Sequence, residues 1–99
     1  MKVMGPKDPE EIKTVSFDFS QEIATSDSIV AAVTTVSVAN GTDATPSAMV
    51  PDAATFAGKV VYQKTIGGLN GVVYKLRCKA TDSAGGVHVI VGKLEVLGL

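Results

Sequence analysis

The stretch VVYKLRCKAT, residues 72–81, constrains the fold of this chain more than any other. Val72, Tyr74, Leu76, Cys78 and Ala80 share one parity, while Val73, Lys75, Arg77 and Lys79 share the other. An extended backbone sends these two sets to opposite faces, so the segment reads as a half-buried strand. Its basic residues then form one solvated face and not a cluster. KTVSFDFS, residues 13–20, alternates in the same way, with Val15, Phe17 and Phe19 inward and Thr14, Ser16, Asp18 and Ser20 outward.

Valine is abundant elsewhere and helix-period spacing is almost absent, which makes the chain all-β. Its 99 residues, 45% of them hydrophobic, suffice for one domain with one modest core. QEIATSDS is a polar link in which Ile23 anchors. IVAAVTTVSV is apolar on both faces, as a strand covered on both sides would be. Turns and a short strand at 47–50 are expected in the irregular region that follows. GGLNG, residues 67–71, then joins KVVYQKTI to the strand at 72–81 through a hairpin or tight corner. In VHVIVGKLEV, Val87, Val89 and Val91 have a parity that Leu94 and Val96 lack, so a bulge at Gly92 is expected. The expected core is Val15, Phe17, Phe19, Val33, Tyr74, Leu76, Cys78, Val89 and Leu94. Strands separated by turn signals every 8–12 residues or so describe a β-sandwich of about six to seven antiparallel strands. Residues 1–11 contain Pro6 and Pro9 among charges and read as an extended N-terminal arm, leaving 12–99 as the sandwich.

Several function classes are disfavoured by composition. With nine basic and ten acidic residues the net charge is −1, which offers no general attraction for nucleic acid or an anionic membrane. No apolar run approaches the roughly 20 residues of a membrane-spanning helix. The N-terminus has no continuous apolar signal segment, and a lone Cys78 suits a reducing compartment, so a cytoplasm is the expected site of synthesis. His88 has no second histidine to work with, and Cys78 shares a face with Leu76 and Ala80 as a buried thiol would. One cysteine and one histidine cannot build a zinc site, and neither Asp8, Glu10 and Glu11 nor Asp82 lies in an alternating calcium loop. GGLNG lacks the Lys-Ser/Thr and the helix that a phosphate loop requires. No catalytic residue, metal ligand or cofactor is expected.

YKLRCKATDSAGG, with its glycine-rich corner just ahead, resembles the next-to-last strand and following turn of immunoglobulin-like and fibronectin-like domains. That resemblance implies that the hydroxyl of Tyr74 returns to the backbone upstream. The chain departs from antibody domains in having no tryptophan and no partner for Cys78, and Tyr74 precedes Cys78 by four residues instead of two. KDPEE at 7–11, FDFS at 17–20 and the run KVVYQKTIGGLNGVVYKLRCKATDSAGG together resemble small virion proteins of tailed bacteriophages and prophages. This wider resemblance implies an immunoglobulin-like β-sandwich behind a proline-bearing arm, and a structural role in head, neck or tail. The implied partners are other virion proteins, with a homo-oligomer allowed and neither nucleic acid nor membrane. The candidate interaction residues are Val3, Met4, Lys7 and Asp8, on an arm whose removal should leave stability unchanged. The alternative is a binding module that grips carbohydrate or a host protein through its loops. Exposed aromatic rings would mark such a site, and only Phe56 and Tyr62 escape burial by the alternation.

Overall fold

A computed structural model describes residues 2–98, folded into seven strands and one short 3₁₀ turn. The strands are β1 (Lys2–Lys7), β2 (Lys13–Asp18), β3 (Ile29–Asn40), β4 (Thr55–Ala57), β5 (Val60–Thr65), β6 (Val73–Asp82) and β7 (Val87–Val96). They form two sheets, ordered β1-β7-β6-β3 and β2-β5-β4. The all-β sandwich expected from the sequence is therefore present. The corner expected at GGLNG is the crossing from one sheet to the other, since β5 and β6 belong to different sheets. Gly68 has φ +94°, and a Cβ there would stand 2.7 Å from a methyl of Val96, so both backbone angle and space require glycine.

Inward residues follow the parities of β2 and β6. Phe17, Phe19, Tyr74, Leu76 and Cys78 are fully buried, and Val15 and Ile23 nearly so. Ala80 of β6 joins them, and from the rest of the chain Met4, Val61, Leu94, Val96, Ile29, Val72 and Met49 complete the core. Met49 arrives on the 3₁₀ turn Pro46–Met49, which stands where a strand at 47–50 was expected. Gln63 and Thr65 are buried polar residues of β5. The Gln63 amide donates to the carbonyls of Asp52 (3.0 Å) and Lys64 (3.1 Å), and the Thr65 hydroxyl donates to that of Lys13, so neither group loses its partner on leaving water.

Further expectations are corrected. Val33 and Val89 are 57% and 39% exposed, outside the core. β7 runs through Gly92 with no break in its register against β6, pairing Leu76 with Gly92, Cys78 with Ile90 and Ala80 with His88. Residues paired across strands share a face, so the parity that buries Leu94 against Tyr74 turns Val87 and Val89 outward and no bulge forms. β3 obeys the same partner. Val36 opposite Leu76 and Val38 opposite Tyr74 face the core, whereas Val33 opposite Lys79 faces solvent, so this edge strand is covered on one side and not on both.

The last correction concerns the arm. Residues 2–7 are extended, as expected, but they are a strand of the larger sheet, and β1 runs parallel to β7 with Met4 opposite Leu94. Residues 2–7 are thus part of the sandwich's larger sheet. Edge position explains why Pro6 is tolerated, because the outer side of an edge strand needs no donor. The register shifts between Met4 and Lys7, and within that step Gly5 has φ +87°, where a Cβ would stand 2.9 Å from a methyl of Leu94.

Candidate functional site

The four residues expected to meet a partner have different fates. Val3 is 80% exposed and lies opposite Lys93 on the outer side of the sheet. Met4 is buried in the core. Asp8 organises a turn: its carboxylate accepts from the Glu10 N–H (2.8 Å), and its own N–H donates to the Glu11 carboxylate (2.7 Å). Lys7 is fully buried, with its ammonium donating to the carbonyls of Gly67 (2.7 Å) and Asp8 (3.0 Å). Burial pushes its pKa down, against the pull of Glu11 and Asp8. Met4 and Lys7 are therefore fastenings within the domain and are not available to a partner. The physical reason is that β1 closes the larger sheet by pairing with β7, and two carbonyls satisfy the ammonium that this pairing buries.

That fastening meets a second one at the same end of the sandwich. The Tyr74 hydroxyl donates to Asp43 Oδ2 at 2.6 Å and accepts from the Leu69 N–H at 2.9 Å. The bond to Leu69, five residues upstream, is the return to the backbone that the immunoglobulin-like resemblance implied. Burial and then the Asp43 hydrogen bond hold the Tyr74 pKa up, while that bond, with the Thr45 N–H, holds Asp43 down. Between the two loops so tied lies a cleft of about 270 Å³ bordered by Asp43, Met49, Ile66 and Leu69. Tyr74→Phe is expected to cost about 1 to 3 kcal/mol, because the Leu69 N–H loses its acceptor. Thermal unfolding of the variant checks this, at about 4 to 8 °C per kcal/mol for a domain of this size.

The remaining chemical groups serve the scaffold. Asp82 accepts from the N–H groups of Ala84 (2.9 Å) and Gly86 (2.8 Å) through Oδ1, and its Oδ2 lies 2.8 Å from His88 Nε2. The His88 bond, chiefly, and the Gly86 N–H hold the Asp82 carboxyl below its ordinary range. His88 is thus tied to the β6–β7 turn. Cys78 is buried, and burial pushes its thiol up, away from the reactive thiolate. Among the described residues no three His, Cys, Asp or Glu side chains converge as a metal set, and no helix is long and apolar enough to cross a membrane.

Surface is where the remaining candidates lie. Phe56 and Tyr62 are 40% and 41% exposed, as the alternation left them. Phe56 pairs with Val61 and Tyr62 with Thr55, so the two rings leave opposite faces of the small sheet and share no platform. Val3, Val33, Val87 and Val89 are exposed valines on the larger sheet's outer face. Their signal in the sequence was ambiguous, since β3 and β7 carry apolar residues at both parities.

A small two-sheet sandwich whose inward polar groups tie strands to loops, and whose outer sheet face exposes valines, is a structural module of the all-β class. Residues 7–90 match the family described as podophage GP4 fiber-tail adaptor protein gp77. The chain belongs to that family and is a phage virion structural protein. No curated protein matches it.

Proposed function

We propose that this chain is a non-enzymatic adaptor that joins a fibre to the tail of a phage particle and is built into it in the host cytoplasm. The match of residues 7–90 to the fiber-tail adaptor family carries this reading, and it favours the tail over the head or neck. The structure supports a passive joint in two respects. The single histidine and the single cysteine are engaged in a turn and in the core, so neither is placed as an acid, base or nucleophile. The loops at the Tyr74 end are fastened by hydrogen bonds from buried side chains, as a joint that transmits load requires. The alternative, a carbohydrate-gripping module, is weakened by the opposed directions of Phe56 and Tyr62.

Virions lacking this chain are expected to keep their tails and lose their fibres, with fibres restored when the chain is supplied in trans. Electron microscopy and quantitative mass spectrometry of purified particles read the result. Fibres at normal occupancy on particles without the chain would overturn the proposal.

A further inference from the structure

The outer face of the larger sheet combines two features that a solvated face seldom joins. Down its middle runs β6 with Lys75, Arg77 and Lys79, spaced about 7 Å apart as alternate strand residues are. Across the sheet, Lys79 stands between Val33 of β3 and Val89 of β7, and Arg77 stands between Thr35 and Val91. Lys75 is followed outward by Lys93 and then Val3. The ion pairs seen among the described residues, Lys64–Asp52 and His88–Asp82, involve none of these four cations. Glu95, at the end of the face, is its one outward acid on β7. A chain with net charge −1 has thus gathered an unneutralised column of positive charge on one face and bordered it with exposed valines.

From this geometry we infer that the outer face of β3, β6 and β7 docks an acidic, apolar-bordered surface of a neighbouring virion protein. The column's like charges lie within one Debye length of each other, about 10 Å at 0.1 M salt, so incoming carboxylates relieve repulsion as well as gaining attraction. A groove of about 150 Å³ lined by Val33, Thr35, Arg77 and Lys79 offers a carboxylate both a guanidinium and an ammonium. The valines supply the apolar contact that interfaces bury at their centre. A nucleic acid fits less well, because its phosphates would leave the valines in water and the face has no aromatic ring for a base to stack on. A second copy of this chain fits worst through this face, since it would bring the cation columns together.

The inference rests on the adaptor reading, and particles lacking the chain separate the two. If those particles keep their fibres, the adaptor reading fails; if they lose them, variants of the face decide the surface. R77E/K79E is expected to lower the chain's occupancy in purified virions about tenfold or more, because it sets like charges against the partner's acids. The isolated variant should melt within about 2 °C of the parent, since both side chains are exposed. R77Q/K79Q, which adds no new charge, should show a smaller loss in the same direction, and it decides the matter should the charge reversal fail to fold. R77K/K79R should assemble normally. Normal occupancy of a folded R77E/K79E or R77Q/K79Q protein would overturn the inference. So would binding of the parent to a labelled DNA duplex of about 20 base pairs that the glutamine variant abolishes, since the face would then read phosphate.

Discussion

Phe17→Ala is expected to cost about 3 to 5 kcal/mol, a large share of the roughly 5 to 15 kcal/mol that holds a domain of this size together. The ring sits in β2 opposite Val61 of β5, and both are fully buried. Few large side chains fill this core, and the small sheet has only three strands, one of them three residues long. Its attachment to the larger sheet depends on Phe17, Phe19 and Val61. Removing one ring leaves a cavity that short strands bordered by fastened loops cannot close, so the variant should melt at least about 12 °C below the parent. Thr14→Ala on the exposed face of the same strand should shift melting little, which separates lost packing from lost strand propensity. A Phe17→Ala protein melting within about 2 °C of the parent would contradict the inward phase of β2.

Deleting residues 1–11 should destabilise by at least about 3 kcal/mol, because a buried methionine alone is worth about 2 to 5. The deletion also removes the parallel pairing of β1 with β7 and the Lys7 ammonium that caps the Gly67 carbonyl. The Leu97 N–H loses its bond to the Lys7 carbonyl as well. Composition alone suggested no change in stability, so the measurement discriminates between an arm and a strand. An unchanged denaturant midpoint would show that the first strand adds nothing to the fold. Lys7→Met, which keeps the buried stem and removes the head, should fall between the parent and the deletion, since only the Gly67 and Asp8 carbonyls lose their donor.

Where each strand's own residues differ in polarity by parity, a local pattern is enough to orient it. KTVSFDFS and VYKLRCKA each offer one apolar and one polar face, and only one of these can be buried at low cost, so Phe17, Phe19, Tyr74, Leu76 and Cys78 lie where that pattern puts them. The upstream hydrogen bond of Tyr74 was likewise legible from the local YKLRC pattern, and the chain's place among phage virion proteins from the order of segments along nearly its whole length. Three things were decided only by tertiary structure. IVAAVTTVSV and VHVIV are apolar at both parities, so their inward set was chosen by pairing with β6, which left Val33, Val87 and Val89 in solvent. The first strand looked too polar to fold because its Lys7 finds an acceptor 60 residues away, on a corner that exists only once β5 and β6 have separated into different sheets. The cation column with its valine border has the same origin. Arg77 and Lys79 are visible as alternating charges, but the valines that flank them come from β3 and β7, and residues so distant in the chain become neighbours only when the backbone ladders of the sheet set their register.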